Sequence, residues 1–295
     1  MKTPVFLGSS VAIVTPFDKD GKVNYAKFHE LVDLQIAGGT AAITVCGTTG
    51  EKSTLKDDEH LDLIRDCVKY VNGRCKVVAG AGSNDTIYSL HLCQEAEEAG
   101  ADALLVVTPY YNKTSQHGLV KHYTYLADNL HTPMILYSVP SRTGMKISVD
   151  ALKELSAHPL INGLKDANSD IEGVVATIAA CGDNLNVYSG NDAEIVPMMA
   201  MGAKGVISVW ANVAPRAVAD VTAACLRGDF ASAAKMQTAA YSLIRALFIE
   251  TNPMPVKEAM NMMGMEVGDV RPPLCELLPE NAAKLRAELV KAGLL

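Results

Sequence analysis

Up to about residue 213, short runs of apolar residues alternate with stretches whose apolar residues recur every three or four positions. The short runs are almost continuously hydrophobic, which is typical of parallel strands buried on both faces. The longer stretches have helical spacing, as in 57–71, where Leu61, Ile64 and Val68 share one face. We therefore predict eight strand–helix units. The predicted strands are Val11–Phe17, Ala41–Gly47, Lys76–Gly82, Ala103–Pro109, Met134–Pro140, Ile161–Ala167, Asn186–Gly190 and Gly205–Trp210.

This alternation predicts an α/β protein with a parallel (β/α)8 barrel, because parallel neighbouring strands need crossover helices. A weak repeat supports the count: segments 37–39, 99–101 and 201–203 each contain a glycine that would close a helix just before a strand. An open doubly wound sheet also fits the alternation. No Gly-x-Gly-x-x-Gly sequence follows a strand, however, which weakens the dinucleotide-binding version of that fold.

Beyond residue 213 the pattern is helical, with a Pro-rich turn at 271–273. The predicted helices are Ala214–Arg227, Phe230–Glu250, Pro255–Met263 and Glu280–Leu294. The first completes the eighth unit, so we expect a catalytic barrel over residues 1–227 and an all-helical extension over residues 228–295. We expect the extension to have a structural or oligomeric role rather than a catalytic one.

Composition narrows the class of protein. The chain has 295 residues, of which 49% are hydrophobic, enough for a full core. A net charge of −7 argues against a nucleic-acid or anionic-membrane partner. No apolar run is long enough to span a bilayer, and the N-terminus lacks a signal-peptide pattern. The seven cysteines include no Cys-x-x-Cys pair, so we expect a soluble cytoplasmic protein with reduced thiols.

The candidate chemistry lies at the predicted strand ends, because active sites of β/α barrels form at the carboxyl ends of the strands. Lys165 closes the apolar run of strand 6. Apolar surroundings favour the neutral amine of a lysine, and a neutral amine can form an imine with a carbonyl substrate. Taken alone, Lys165 is better explained as a strand-end lysine that reaches solvent, because lysine is rarely buried.

Other predicted strand ends supply groups that suit carbonyl chemistry. They are Thr48 and Thr49 after strand 2, Tyr110 and Tyr111 after strand 4, and Tyr137 and Arg142 on and after strand 5. Hydroxyls and phenols can relay protons, and an arginine can hold a carboxylate. Singly, the Gly-rich segment 47–50 is also explained as a turn, the tyrosines as an aromatic rim and Arg142 as a surface ion-pair residue. The histidines lack metal-ligand spacing and no Gly-x-Ser-x-Gly occurs, so neither a metal site nor a serine hydrolase is predicted.

Together these motifs resemble the dihydrodipicolinate synthase family, one of the Schiff-base pyruvate lyases and aldolases. The resemblance runs from about Gly8 to the carboxyl terminus. It rests on segments 15–17, 47–51, 108–112, 137–144, 163–165 and 205–208. The segments on strands 2 and 6 are shared by the whole superfamily. The run from Val139 to Gly144 is more selective, because sialic-acid lyases lack the arginine found here at position 142.

The resemblance implies a reaction and a set of catalytic residues. Lys165 would form an imine and then an enamine with pyruvate, without a metal or organic cofactor. Tyr137 would shuttle protons, and Thr49 would link it to Tyr111, which enters from a neighbouring subunit. The family is a homotetramer built from two tight dimers. The enamine would attack aspartate-4-semialdehyde to give 4-hydroxy-tetrahydrodipicolinate, on the diaminopimelate route to lysine.

The resemblance also implies the substrate-binding groups. Thr48 and Thr49 would hold the pyruvate carboxylate, and Arg142 would hold the carboxylate of the semialdehyde. The backbone carbonyl of Ile207 would orient the lysine or its imine.

This sequence departs from the family pattern at four positions. Ser138 stands where asparagine is common, Asp166 and Asn168 replace a more usual Glu and Gly, and Trp210 replaces a small residue whose extra bulk could narrow the mouth. Two alternatives therefore stay open. One is a pyruvate-dependent aldolase of a sugar acid such as N-acetylneuraminate or a 2-keto-3-deoxy acid, and the other is a non-catalytic pyruvate-binding paralogue.

Lysine-inhibited members of the family have an effector pocket at a subunit interface. The positions that match it here are Ser53, Asp57, His60, Asn84, Tyr88 and Tyr110. Asp57 stands where those members often carry histidine, and Tyr88 where they carry a carboxylate that pairs with the effector's ammonium. We therefore predict weak or absent feedback inhibition by lysine.

Overall fold

A computed structural model describes all residues from Met1 to Leu295. Eight strands pair in parallel, each with its sequence neighbours, and β8 pairs with β1 to close the barrel. The strands are β1 Gly8–Ala12, β2 Ala42–Val45, β3 Lys76–Gly80, β4 Ala103–Val107, β5 Met134–Ser138, β6 Ile161–Asp166, β7 Asn186–Ser189 and β8 Gly205–Ser208. The predicted (β/α)8 barrel is therefore confirmed.

Nine helices accompany the barrel and four follow it. The first nine are α1 Tyr25–Ala37, α2 Asp57–Val71, α3 Thr86–Glu98, α4 Gln116–Asp128, α5 Pro140–Thr143, α6 Val149–Leu155, α7 Ile171–Cys181, α8 Ile195–Ala200 and α9 Pro215–Leu226. The last four are α10 Phe230–Ala239, α11 Tyr241–Ala246, α12 Met254–Met262 and α13 Pro279–Lys291. No helix combines the length and the apolarity that crossing a membrane requires.

Polar residues at the loop–helix junctions fix where several of these helices begin. Asp85 accepts a hydrogen bond from the backbone N–H of Tyr88 and so caps α3, while Ser115 caps α4 and Ser148 caps α6 in the same way. Such caps satisfy backbone donors that have no partner within the helix. They hold each loop at a defined point on the barrel rim.

The hydrophobic core has two layers. A cluster of 70 buried residues fills the space between the strands and the surrounding helices. A second cluster of 11 residues lies inside the barrel and includes Tyr137 and Tyr188. Phe6 belongs to this inner cluster, and its ring stacks on that of Tyr188 with the ring centroids 4.4 Å apart. The segment that precedes β1 therefore fills one end of the barrel.

Lys2 anchors this N-terminal segment. Its ammonium donates to the backbone carbonyls of Ser156, His158 and Ile161 at 2.7, 2.6 and 2.7 Å. All three carbonyls belong to the chain just before β6 or to its first residue. One cation thus satisfies three acceptors and ties the start of the chain to the region where β6 begins.

The predicted position of the first strand is wrong at both ends. β1 spans Gly8–Ala12, whereas the apolar run had indicated Val11–Phe17. The interior-facing hydroxyl of Ser10 bonds that of Thr44 at 2.8 Å, so a strand residue is polar where the pattern required an apolar one. The N–H of Ile13 makes the last hydrogen bond to β2, at the carbonyl of Thr44, and the N–H of Val14 donates instead to the side chain of Asn212.

The single helix predicted over Phe230–Glu250 is instead divided into α10 and α11. The division is one turn residue, Ala240, whose N–H donates to the carbonyl of Met236 and whose carbonyl accepts from Ile244. Backbone hydrogen bonds therefore continue across the break.

Candidate active site

Lys165 and Tyr137 lie side by side inside the barrel. They are register partners on β6 and β5, and both are buried, with Lys165 6% exposed. The ammonium of Lys165 lies 4.3 Å from the centroid of the Tyr137 ring. No carboxylate lies within ion-pair distance of this ammonium. A buried lysine without a counter-ion is unusual in a protein core, and it leaves the amine available for chemistry.

Asp192 is a buried carboxyl group whose pKa is influenced by the charge of Lys165. One carboxylate oxygen accepts hydrogen bonds from the backbone N–H groups of Val209 and Trp210 at 3.0 and 2.8 Å. Burial raises the pKa of Asp192, while hydrogen bonds from Ser208 and these two N–H groups, together with the positive charge of Lys165, act in the opposite direction. Asp192 thereby fixes the loop that follows β8 just beyond Ile207.

The loop after β2 carries Thr48 and Thr49 in a constrained backbone. Its two ends, Cys46 and Glu51, adopt left-handed conformations with φ of 55° and 54°. The carbonyl of Gly50 accepts a hydrogen bond from the Thr15 hydroxyl at 2.7 Å. Thr49 is buried, and its hydroxyl oxygen accepts from the side-chain amide of Asn252 at 2.9 Å. The loop is thus held from both sides, by the β1 side of the barrel and by the extension.

Arg142 lies on α5, the short helix that starts directly after β5. Pro140 opens this helix, and Gly144 ends it in a left-handed conformation with φ of 68°. The Arg142 guanidinium donates to the backbone carbonyl of Asn252 at 2.8 Å. A cation is therefore fixed at the barrel mouth with its other N–H groups free to bind an anion.

One cavity of about 460 Å³ opens beside these residues. Thr48, Tyr137 and Arg142 are among the residues that line it. Lys165, Thr49 and Ile207 are not on its wall and lie in the buried interior next to it. The structure thus places Thr48, Tyr137 and Arg142 on one cavity, with Lys165 against the Tyr137 ring. Thr49 is joined to Arg142 through Asn252, and Ile207 belongs to the same inner cluster as Tyr137.

Tyr111 points away from the site of its own chain. It is 93% exposed and has a positive φ of 69°, an uncommon conformation for a residue with a bulky side chain. Its neighbour Tyr110 lines the cavity. The Tyr111 phenol thus faces solvent and makes no hydrogen bond within its own chain.

Five of the six residues that match an effector pocket line the same cavity, and Asn84 does not. The phenol of Tyr88 donates to the carboxylate of Asp57, and this bond together with burial raises the pKa of Tyr88 to about 12. The ring of His60 bonds the carbonyl of Gly80 at 2.8 Å, and burial lowers its pKa to about 4. These polar groups are largely satisfied by one another.

Sequence inspection missed the cation inside this part of the cavity. Lys52 donates to the carbonyl of Gly82, and burial lowers the pKa of its ammonium to about 8. Lys52 follows closely on the Gly-rich segment 47–50, where its charge alone would indicate a surface lysine. Its inward orientation depends on the left-handed turn at Glu51, which no sequence pattern indicated.

Three of the four departures from the family pattern are joined by side-chain hydrogen bonds. The hydroxyl of Ser138 donates to the side chain of Asn168 at 2.9 Å, and Asn168 donates in turn to Asp166 at 2.8 Å. Each change therefore supports another. Trp210 does not narrow the mouth: its side chain packs in the larger core cluster and is absent from the cavity wall.

Asn252 was also missed, and it contacts both Thr49 and Arg142 from the extension. The only local signal is a polar residue directly before a proline, in the segment Thr251–Pro255. Contacts across 203 residues of sequence leave no periodic trace. No group of three or more His, Cys, Asp or Glu side chains is arranged to hold a metal ion.

Comparison with known proteins places the chain among relatives that match it over its whole length. The sequence model of the Dihydrodipicolinate synthetase family matches residues 5–292. A 4-hydroxy-tetrahydrodipicolinate synthase of Acetivibrio thermocellus is 46% identical over 295 residues, covering all of both chains. A dihydrodipicolinate synthase structure from Aquifex aeolicus superposes with a TM-score of 0.96 at 44% identity, covering 98% of this chain and 99% of that one. A chloride-inhibited dihydrodipicolinate synthase from Acinetobacter baumannii, solved with pyruvate, gives a TM-score of 0.96 at 42% identity over the same shares of the two chains. The chain therefore belongs to the dihydrodipicolinate synthetase family.

Proposed function

We propose that this chain condenses pyruvate with L-aspartate-4-semialdehyde to give 4-hydroxy-tetrahydrodipicolinate, through a covalent imine on Lys165. The chain is a lyase of lysine and diaminopimelate biosynthesis, as its relatives over the full length are named. The observation that carries the assignment to Lys165 is its burial beside Tyr137 without a counter-ion. The only other lysine on a barrel strand, Lys76, is exposed and paired with Asp102, so Lys165 is the one amine that a strand places in the barrel interior.

The first half of the reaction uses pyruvate alone. The Lys165 amine attacks the ketone carbon, and water leaves to give the imine. Loss of a proton from the methyl carbon then gives an enamine, which is nucleophilic at neutral pH without a metal or organic cofactor. Tyr137, whose ring packs against the Lys165 ammonium, is the group that we propose moves these protons. The hydroxyl and backbone groups of Thr48 and Thr49 hold the pyruvate carboxylate, and the carbonyl of Ile207 orients the lysine or the imine.

The second half forms the carbon–carbon bond. The enamine carbon attacks the aldehyde, whose oxygen takes a proton through Tyr137, Thr49 and Tyr111. The amino group of the semialdehyde then attacks the imine carbon, closes the ring and releases the free Lys165 amine. Arg142 holds the semialdehyde carboxylate, since its guanidinium is fixed at the cavity wall.

The site requires more than one subunit in this proposal. Tyr111 completes the proton relay of a neighbouring subunit, so a dimer is the smallest active unit and a homotetramer of two such dimers is the expected assembly. We further propose a cytoplasmic location and a division into a catalytic barrel over residues 1–227 and an extension over residues 228–295.

Borohydride trapping tests the proposal. Pyruvate plus borohydride should leave a reduced adduct on a peptide that contains Lys165, and Lys165→Ala should abolish it. Lys76→Ala is the matched control, because Lys76 begins β3 at the opposite end of the barrel and pairs with Asp102. Condensation assays should then favour the semialdehyde over N-acetylneuraminate and 2-keto-3-deoxy acids. An unmodified Lys165 would contradict its assignment as the imine-forming residue. Turnover of the sugar acids alone would identify an aldolase.

A further inference from the structure

Asn252, in the helical extension, touches both halves of the site. Its side-chain amide donates to the Thr49 hydroxyl oxygen at 2.9 Å, and its backbone carbonyl accepts from Arg142 at 2.8 Å. The residue is buried, and its side-chain oxygen has no hydrogen-bond partner. An unsatisfied buried amide oxygen costs stability, so retaining it suggests that the amide serves another purpose.

The Asn252 amide sets the direction of the Thr49 hydrogen bond. A threonine hydroxyl has a single proton to donate, and an amide NH₂ can only donate. While Asn252 donates to the Thr49 oxygen, the Thr49 proton must point away from Asn252. No other group in the chain accepts that proton, so it is free to serve the proton relay proposed above.

The extension holds Asn252 firmly against the loop that carries Thr49. Lys257, on α12, forms an ion pair with Glu51 at 3.0 Å, and both side chains are almost fully buried. The same ammonium donates to the carbonyls of Thr15 and Asp269 at 3.1 and 2.7 Å. Glu51 lies two residues beyond Thr49, so two separate links fix Asn252 relative to Thr49.

We infer that Asn252 is a positioning residue of the synthase, which orients the Thr49 hydroxyl through its side chain and Arg142 through its backbone carbonyl. The inference rests on the proposed roles of Lys165, Thr49 and Arg142. It gives the helical extension a part in catalysis, because one of its residues aligns the relay with the group that binds the second substrate.

Two substitutions separate this role from a structural one. Asn252→Asp keeps the shape but replaces the donor by an acceptor, so Thr49 must turn its proton away from the relay. Asn252→Ala only frees the hydroxyl. We expect kcat to fall about tenfold to hundredfold for Asn252→Asp and less for Asn252→Ala, because misdirecting a proton-transfer group costs at most what the group contributes, roughly hundredfold or more. A structural role predicts the reverse order, because the alanine removes more packing.

The pH profile provides a second signature. A protonated aspartic acid regains an O–H donor toward Thr49, so kcat of Asn252→Asp relative to wild type should rise as pH falls. KM for the semialdehyde should stay within about twofold in both variants, because the backbone carbonyl that holds Arg142 is unchanged. Asn261→Asp is the matched control, since Asn261 bonds only Gly268 and Val267 within the extension.

Rates are to be expressed per active site, counted as the pyruvate–borohydride adduct on Lys165, so that partial misfolding does not affect the comparison. Unchanged kcat, or a larger loss for alanine than for aspartate without pH dependence, would overturn the inference. Absence of the adduct in the wild-type protein would instead overturn the proposed function. An adduct with normal condensation in wild type and in both variants would overturn only the role of Asn252.

Discussion

At the residue scale, two buried histidines make the stability of the fold depend on pH. His60 bonds the carbonyl of Gly80, and His122 bonds the hydroxyl of Thr86 at 2.8 Å. Burial lowers the pKa of each to about 4. Both rings are therefore neutral in the folded protein near pH 7, whereas in the unfolded chain they would titrate near their ordinary value of about 6.5.

The free energy of unfolding should decrease as pH falls from about 6.5 toward 4. Over this range the unfolded chain binds protons that the folded chain does not, which favours unfolding. Between pH 7.5 and 5.5 the loss should be about 1 kcal/mol per histidine. Denaturant unfolding at the two pH values measures it.

Single replacements identify the source of this dependence. His122→Gln should remove about half of the loss, because the substituted side chain no longer titrates. His117→Gln should leave it unchanged, since His117 is exposed and makes no hydrogen bond. An identical pH dependence in wild type and His122→Gln would contradict the assignment.

At the element scale, α12 is attached to the loop after β2 by a charged network. Lys257 pairs with Glu51, and Arg271 pairs with Glu59 at the start of α2. Arg271 also donates through its backbone N–H to Glu51 at 2.8 Å. Both cations lie over the ring of Phe17, at 4.3 and 4.2 Å from its centroid. The network connects the extension to the barrel at the catalytic loop.

Lys257→Met should lower the free energy of unfolding by about 3–5 kcal/mol, because it leaves the Glu51 carboxylate buried without a partner. Adding Glu51→Gln should recover part of that loss. Lys76→Met is the control: its pair with Asp102 is exposed, so the change should stay below about 1 kcal/mol. Chemical denaturation measures all three, and a loss of similar size for Lys257→Met and Lys76→Met would contradict a buried pair.

We expect the part of the active-site cavity that lies between the β2 loop, α2 and α3 to determine whether free lysine can bind and inhibit the enzyme. A free lysine placed there would bring its ammonium near the cation of Lys52, and Tyr88 already occupies the Asp57 carboxylate. We expect lysine to bind more weakly than about 1 mM, which is less than about 4 kcal/mol of binding free energy. Initial rates at about 1 mM lysine, compared with sodium chloride at equal ionic strength, should therefore fall by less than half.

A designed variant should strengthen lysine binding if the charges in this cavity are what weaken it. Lys52→Ala combined with Tyr88→Glu removes a cation and adds a carboxylate, so it should bind lysine more tightly than wild type. Strong inhibition of the wild-type enzyme at low lysine would contradict the prediction. So would equal inhibition of wild type and the variant.

At the scale of the whole molecule, the alternation of apolar runs was enough to predict the barrel, because parallel strands are buried on both faces. It failed at β1, where Ser10 faces the barrel interior and bonds Thr44. The strand ends located the positions of Lys165, Tyr137, Thr49 and Arg142. The extension's contribution was not predictable, since Asn252 and Thr49 are 203 residues apart and only the closed fold brings them together.

Tyr111→Phe should lower turnover about tenfold or more and leave the fold unchanged, because it removes a proton-transfer group from a neighbouring site. Tyr241→Phe is the control, an exposed tyrosine on α11 far along the chain from the relay.

Mixing variants tests the sharing of sites directly. Subunits carrying Lys165→Ala and subunits carrying Tyr111→Phe are each impaired, but a mixed dimer contains one complete site. Random reassociation should restore about a quarter of wild-type activity if the interface is isologous. Absence of complementation after verified subunit exchange, or unchanged turnover in Tyr111→Phe, would argue against a shared site.

The anchor formed by Lys2 has a bearing on how the chain folds during synthesis. Its carbonyl partners lie 154, 156 and 159 residues later, and the ring that stacks on Phe6 belongs to Tyr188. At ribosomal rates of about 5–20 residues per second, the N-terminal segment waits roughly ten to thirty seconds for these partners to be made. Its apolar ring and its cation stay unengaged throughout that interval. Phe6 and Lys2 therefore cannot close this end of the barrel before β7 has been made, although they are among the first residues of the chain.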